Sequence, residues 1–221
     1  MSGSAGVIVP PKGYLDRLRE ICTAHDILLI FDEVITAFGR SGATTGAEAF
    51  GVTPDIMNVA KQITNGAVPM GAVIASPEIF DTFMHAGGPQ HAIEFPHGYT
   101  YSAHPVACAA GLAALELFER EDFPAQVSAI APVFEQKLHA LKGRHHIVDI
   151  RNYGLAGALQ LAPRNGDPTI RPRDAHMALW EAGFYVRYGG DTLQFGPPFG
   201  TTEAELERLF DAVASTLDSL A

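Results

Sequence analysis

Apolar residues recur at helical spacing near the start of the chain and then form short continuous runs. Leu15, Leu18 and Ile21 are three residues apart within residues 14–25, with charged residues between them, which predicts an amphipathic helix. Residues 27–31 are apolar without interruption, which predicts a strand covered on both faces. A helix followed by a fully buried strand indicates a parallel α/β sheet.

Two later apolar runs, residues 56–60 and 70–75, predict a second and a third strand. Asp32 follows the first predicted strand and Lys61 follows the second. Because such sheets bind ligands beyond the carboxyl ends of their strands, we expect Asp32 and Lys61 to belong to one site. Their positions alone also allow Asp32 to be a helix cap or an ion-pair partner, and Lys61 to be a surface lysine at a loop tip.

The three apolar runs around Lys61 predict that its ammonium is enclosed. Burying an ammonium is costly unless its pKa falls or the nitrogen is used covalently. A lysine that forms a Schiff base with a carbonyl compound meets this condition.

After the third predicted strand, the elements no longer follow the order of a parallel α/β sheet. A helix that starts at Pro105 ends near Arg120, and the break at residues 121–124 divides the chain into residues 1–122 and a smaller α+β domain of residues 123–221. Pro132 is expected to kink the next helix or to start a new one. The elements predicted for this half are helices at 127–141, 173–182 and 202–220 and strands at 147–150, 155–161, 184–187 and 192–195. The last helix is predicted to start with a capping box formed by Thr202 and Glu205.

Composition narrows the range of partners. The net charge of −10 argues against nucleic acid or an anionic membrane as the main partner. No apolar run approaches the roughly 20 residues that span a bilayer, and the amino terminus does not resemble a signal peptide, so we expect a cytoplasmic protein. His91, His97 and His104 match no common zinc spacing, and we expect no metal site.

Three segments of the first half carry a specific resemblance. Residues 31–40 read Phe-Asp-Glu-Val-Ile-Thr-Ala-Phe-Gly-Arg, residues 54–56 read Pro-Asp-Ile, and Lys61 follows an alanine. In order and spacing they resemble the class III (fold-type I) aminotransferases, which depend on pyridoxal 5′-phosphate. Residues 61–71 are most similar to the β-alanine–pyruvate and ω-amino-acid–pyruvate transaminases. The resemblance implies transfer of an amino group from an ω-amino acid or an amine to pyruvate, a 2-oxo acid, by a ping-pong mechanism.

The resemblance assigns chemical roles to three residues beside the predicted strands. Lys61 would hold the cofactor covalently and later move a proton, and Asp32 would pair with the pyridine nitrogen. Val34 would pack against one face of the cofactor ring. If the chain is extended after Asp32, Val34 lies two residues further on and therefore on the same side. Plain core packing is the alternative for Val34.

The resemblance assigns roles to two further residues, Thr100 and Arg187, which follow the three predicted strands. Thr100, ahead of the helix that starts at Pro105, would reach the cofactor phosphate of the neighbouring subunit, which implies a homodimer with shared active sites. Ordinary helix capping is the alternative for Thr100. Arg187 would clamp the substrate carboxylate and swing aside for other substrates. Its alternative is a surface ion pair with Asp191.

Members of this family are roughly twice as long as the chain. The chain therefore resembles a C-terminal half, without the upstream Gly-Ser phosphate turn and the ring-stacking aromatic residue. We expect weak or no catalysis from the 221 residues alone, together with an unpaired sheet edge and an exposed apolar face. A non-catalytic fragment that regulates a full-length relative, an aminomutase and a decarboxylating transaminase remain as alternatives.

Overall fold

The computed structural model describes residues 1–86, 91 and 97–220. Contacts divide them into two compact units. The lysine unit comprises Lys12–Phe38 and Thr45–Asp122, and the arginine unit comprises Met1–Pro11, Gly39–Thr44 and the chain from Phe123 onward. The expected division into domains of residues 1–122 and 123–221 stays a prediction.

The lysine unit combines four helices with a three-stranded sheet. The helix predicted at residues 14–25 and the three predicted strands are all present. Lys61–Thr64 forms a short 3₁₀ turn directly after the second strand. The elements are α1 (Tyr14–Ala24), β1 (Ile30–Asp32), α2 (Gly46–Phe50), β2 (Ile56–Ala60), β3 (Gly71–Ala75), α3 (Pro77–His85) and α4 (Pro105–Glu121).

The sheet of the lysine unit is mixed, not purely parallel. Strand β2 lies in the middle, parallel to β1 and antiparallel to β3. The β2–β3 connection is a compact turn instead of a long helical crossover, and short connections of this kind join antiparallel strands.

One face of this sheet is uncovered, which corrects the expectation of a strand buried on both faces. Leu29 packs with residues of α1, and Val59 packs against Ile63, so these side chains lie on the covered face. On the other face Ile30 is 54% exposed and Val73 is 69% exposed. Strand alternation places Asp32 on this open face with them.

The arginine unit packs three helices against a four-stranded antiparallel sheet. The strand order is β4-β5-β7-β6, which makes β6 an edge strand. The helix predicted from residue 127 begins earlier, at Phe123, and continues through Pro132 without a second start. The elements are α5 (Phe123–His139), β4 (Ile147–Tyr153), β5 (Ala156–Leu161), α6 (Ile170–Glu181), β6 (Arg187–Gly189), β7 (Thr192–Phe195) and α7 (Glu203–Ser219).

The two faces of the four-stranded sheet differ. One face packs against the helices around fully buried side chains, among them Phe134, Leu159 and Leu193. The segment Met1–Pro11 covers part of the other face, where Val7 is buried against alanines of β5. The Thr202 capping box predicted at the start of α7 is present.

No helix within residues 1–86 and 97–220 is long and apolar enough to cross a membrane. In the same part of the chain no group of three or more His, Cys, Asp or Glu side chains could hold a metal ion. Residues 87–90 and 92–96 of the histidine-containing loop between α3 and α4 lie outside the described residues.

Candidate active site

Asp32 and Lys61 lie at the carboxyl edge of the two parallel strands of the lysine unit. Asp32 is the last residue of β1, and its partner across the ladder is Asn58 of β2. Lys61 comes three residues after Asn58, directly beyond the end of β2. The parallel register therefore places both residues at one edge of the sheet, and their membership of one site stays a prediction.

The Asp32 carboxylate is exposed and makes one local hydrogen bond. Its Oδ1 atom accepts the backbone N–H of Val34 at 3.0 Å. The chain turns after Asp32, so Val34 lies in a turn and not on an extension of β1. The extended conformation that we assumed for Val34 is therefore wrong, and its packing against the cofactor ring stays a prediction.

Lys61 is exposed, which corrects the expectation that three apolar segments enclose it. Its φ of 53° lies in the left-handed region, which a non-glycine residue rarely adopts. The Lys61 carbonyl accepts the N–H of Gly66 at 3.1 Å, which holds the backbone in this tight turn. The Lys61 ammonium forms no ion pair within the described part of the chain, so this primary amine is accessible.

Glu33 is a buried carboxylate beside Asp32 for which the sequence predicted no role. It is 2% exposed and accepts the hydroxyl of Thr36. It also accepts the N–H groups of Gly46 at 2.8 Å and Ala47 at 2.6 Å, at the start of α2. Glu33 therefore joins the end of β1 to α2, and its acceptor atoms are used structurally. An acid directly after an apolar strand was the only sequence signal for it.

Asp55 supports the amino-terminal side of the same strands. It accepts Arg19 Nη1 of α1 at 2.7 Å and the N–H of Leu29 at 2.6 Å. The hydrogen bond from Arg19 and that from Leu29 lower the pKa of the Asp55 carboxyl below its ordinary value. Asp55 thus holds the residue before β1 and helix α1 together, at the opposite end of the strand from Asp32.

Helix α4 packs closely on the turn that carries Lys61. A Cβ atom added at Gly111 would lie 3.4 Å from Met70 Sδ and 3.6 Å from the carbonyl oxygen of Ile63. These are ordinary van der Waals distances, so a Cβ atom at this position would touch the turn, and the glycine lets the backbone of α4 lie close to it.

Thr100 is exposed in a turn ahead of α4. His104 occupies the N-cap position of α4, and its side chain makes no capping hydrogen bond. Nearby, the Ser102 hydroxyl accepts the backbone N–H of Tyr99 at 2.9 Å. Thr100 therefore does not cap the helix, and its contact with a phosphate stays a prediction.

Arg187 lies in the arginine unit, exposed at the start of the edge strand β6. The alternative ion pair with Asp191 does not form, because Asp191 Oδ2 accepts the side-chain amide of Gln160 at 2.7 Å. Within the described residues the Arg187 guanidinium has no ion pair and no hydrogen bond. Its role in carboxylate binding stays a prediction.

Arg40 is the last residue of the segment 31–40 that carries the family resemblance, and it has a structural role in the arginine unit. Its Nη1 donates to the carbonyl of Leu155 at 3.1 Å and to that of Pro197 at 2.6 Å. The guanidinium carbon lies 4.5 Å from the centre of the Phe199 ring. Burial lowers the pKa of Arg40 to about 10, which leaves it charged near neutral pH. This role leaves no local signal in the sequence because the partners are more than a hundred residues away.

Residues 1–217 match the family profile for aminotransferase class-III. The chain belongs to the class III aminotransferase family. It is 68% identical to β-alanine–pyruvate aminotransferase of Pseudomonas aeruginosa, over all of this chain and 49% of that protein. It is 64% identical to ω-amino acid–pyruvate aminotransferase of Pseudomonas putida, again over all of this chain and 49% of the relative.

Solved structures of transaminases have the same fold as this family member. One is an amine transaminase from an uncultivated Pseudomonas species in its PLP-bound form, with 39% identity and a TM-score of 0.90. That match covers 98% of this chain and 50% of the other. An (S)-enantioselective ω-transaminase from Thermomicrobium roseum gives 35% identity and a TM-score of 0.90, over 98% of this chain and 48% of the other.

The comparisons confirm the expected family and the α/β fold of a fold-type I transferase. The chain spans about half the length of the curated relatives that it matches. The roles of Asp32, Val34, Lys61, Thr100 and Arg187 remain predictions.

Proposed function

We propose that the chain is the catalytic portion of a pyridoxal-phosphate-dependent transaminase. The enzyme would transfer an amino group from an ω-amino acid such as β-alanine, or from an amine, to pyruvate in a ping-pong sequence of two half-reactions. The high identity to two pyruvate aminotransferases supports this choice of acceptor. The observation that carries the proposal is the placement of Asp32 and Lys61 at one edge of the parallel strands.

The residues present fit the proposed cofactor. The cofactor has a basic ring nitrogen that needs an anion and an aldehyde that needs an amine. Asp32 offers an exposed carboxylate of which only Oδ1 is engaged, by Val34, and Lys61 offers an accessible primary amine. When bound, pyridoxal phosphate supplies an electron-withdrawing ring that stabilises negative charge on the substrate carbon beside the transferred nitrogen.

Lys61 and Asp32 would divide the chemistry between them. Lys61 Nζ would hold the cofactor covalently and would take up and return the proton at the substrate carbon. The Asp32 carboxylate would pair with the ring nitrogen and keep it protonated. The 3₁₀ turn and the Glu33 hydrogen bonds hold the two residues at the ends of their strands.

Arg187 and Thr100 would bind the charged ends of the substrate and the cofactor. The Arg187 guanidinium suits a carboxylate because it presents parallel N–H donors, and it has no competing acid within the described residues. Thr100 would donate its hydroxyl to the phosphate of the neighbouring subunit, which makes a homodimer part of the proposal. Its exposure, shared with Tyr99 and Tyr101, is consistent with such a contact.

The decisive experiment measures alanine formation from pyruvate, with β-alanine as donor and added pyridoxal phosphate. It uses the 221-residue chain and a chimera that joins the chain to the part of the Pseudomonas aeruginosa relative that it does not match. We expect turnover in the chimera and little or none in the chain alone. Lys61→Ala should abolish turnover, because no other lysine lies at this strand edge in the described residues.

Lys12→Ala is the matched control, since Lys12 is an exposed lysine of the same unit. It should leave turnover unchanged. Full turnover in the Lys61→Ala chimera would reject the assignment of Lys61. A wild-type chimera that takes up the cofactor and converts none of a panel of amines and ω-amino acids would reject the proposed reaction.

A further inference from the structure

Gln194 lies directly across the sheet from Arg187. The antiparallel register of β6 and β7 pairs Arg187 with Gln194 and Tyr188 with Leu193. Leu193 is fully buried in the core against the helices. Strand alternation therefore places both Arg187 and Gln194 on the opposite face, with Cβ atoms about 5 Å apart as in any directly opposed pair.

The hydrogen bonds of Gln194 fix the orientation of its amide. Nε2 donates to the carbonyl of Ser4 at 3.0 Å and to Thr192 Oγ1 at 3.2 Å. Thr192 Oγ1 in turn donates to the carbonyl of Gly189 at 2.9 Å, so it receives the amide hydrogen as an acceptor. Both amide hydrogens are thus engaged, and Oε1 is left as the acceptor that this side chain can offer.

Gly189 leaves the space that the amide needs. A Cβ atom added at Gly189 would lie only 3.0 Å from Gln194 Nε2. Any larger residue at this position of β6 would push the amide away from Ser4 and Thr192. The glycine of the short strand β6 therefore lets the Gln194 amide keep its position beside Arg187.

The carboxylates on this face are engaged elsewhere. Asp191 accepts the amide of Gln160, and Asp149 pairs with Arg151. Arg151 also donates to Gln160 Oε1 at 2.9 Å, which closes a chain of polar contacts across β4 and β5. The group that stands opposite Arg187 is consequently a neutral amide and not an acid.

We propose that Gln194 is a positioning residue whose Oε1 accepts a hydrogen bond from the Arg187 guanidinium when the arginine side chain, which makes no hydrogen bond within the described residues, swings aside for a substrate without a carboxylate. This inference rests on the proposed function, in which Arg187 binds that carboxylate. A carboxylate carries the opposite charge to the guanidinium and can accept two parallel hydrogen bonds, whereas the neutral amide offers one oxygen, so a bound carboxylate displaces the amide. An acid in place of Gln194 would compete with the substrate, and an apolar residue would leave the arginine without a partner.

The kinetic test compares two donors of equal carbon number in the active chimera, β-alanine and propylamine, which lacks the carboxylate. Gln194→Glu should raise the KM for β-alanine about tenfold relative to that for propylamine, because the new acid pairs with Arg187. Gln194→Met introduces a side chain of similar length without an amide oxygen. It should lower the KM for β-alanine relative to that for propylamine. A merely structural role would move both KM values together, and that result would overturn the inference.

A second measurement does not depend on turnover. A double-mutant cycle measures the coupling free energy between Gln194→Glu and Arg187→Met. The free energies of unfolding come from urea titrations at low and high salt, in the 221-residue chain and in the chimera. We expect a favourable coupling that shrinks with salt. Absence of coupling in both proteins would overturn the inference. If no form transaminates, the proposed function fails, while the cycle still decides whether position 194 reaches Arg187.

Discussion

At the scale of single residues, two adjacent carboxylates have opposite environments. Asp32 is exposed at the end of β1, with one oxygen bonded to Val34. Glu33 is 2% exposed and accepts hydrogen bonds from a hydroxyl and two backbone N–H groups. Since a buried acid with engaged oxygens cannot also bind a ligand, only Asp32 is free to serve the site.

Asp55 leads to a prediction about acid stability. The partners of Asp55 hold its folded-state pKa below the ordinary value of 3.8. The carboxylate therefore contributes stability at pH values above 3.8, and this contribution is lost as the pH falls through the lower folded pKa. Asp55→Asn should lower the free energy of unfolding at pH 6 and flatten its decline below pH 4, as measured by urea unfolding across this range.

Asp16→Asn provides the control for this series. Asp16 is exposed on α1, near Arg19, and makes no ion pair within the described residues. Its substitution should leave the pH profile of unfolding unchanged. Identical profiles for wild type and Asp55→Asn would mean that the Arg19–Asp55 contact does not contribute in solution.

At the scale of elements, β5 packs so closely on α5 that a Cβ atom at one of its glycines would have to displace side chains of the helix. A Cβ atom at Gly157 would lie 2.7 Å from Phe134 and 2.8 Å from Leu138, both fully buried. Gly157→Ala should therefore lower the free energy of unfolding by about 1–3 kcal/mol, the usual cost of overpacking a core. Chemical denaturation of the arginine unit within the intact chain measures this change.

Gly196→Ala is the matched control for the overpacking prediction. Gly196 follows β7, its φ is not positive, and a Cβ atom there would meet nothing within 4 Å. The substitution should change stability little or raise it slightly, because alanine restricts the unfolded chain. Equal destabilisation by both substitutions would contradict a steric origin.

At the scale of the whole molecule, the open face of the lysine unit predicts self-association of the isolated chain. Ile30 and Val73 expose more than half of their surface on the same face of the sheet. Replacing both with threonine keeps the β-branched shape and removes apolar surface, so it should shift the chain toward a monomer. Sedimentation velocity at several protein concentrations measures the shift.

Val148→Thr tests whether any exposed valine would have the same effect. Val148 is 60% exposed on β4 of the arginine unit and does not belong to the sheet of the lysine unit. This variant should associate as the wild type does. A wild-type chain that stays monomeric at all concentrations would contradict the prediction.

Much of the local structure was predictable because it depends on neighbouring residues. The spacing of Leu15, Leu18 and Ile21 predicted α1, and the Thr202 capping box predicted the start of α7. The apolar runs predicted β1 and β2 and placed Asp32 and Lys61 at their ends. Arg40 and Gln194 were missed because their partners, such as Leu155 and Ser4, are distant in the sequence.

The sequence by itself determined the family, the order of most elements and the two residues at the strand ends, since motifs and periodicity are local properties of the chain. Only the tertiary structure decided which sheet face is open, that Lys61 is exposed and that Gln194 stands opposite Arg187. Burial and strand register depend on which remote segments meet, and one pattern of apolar residues is compatible with several such pairings.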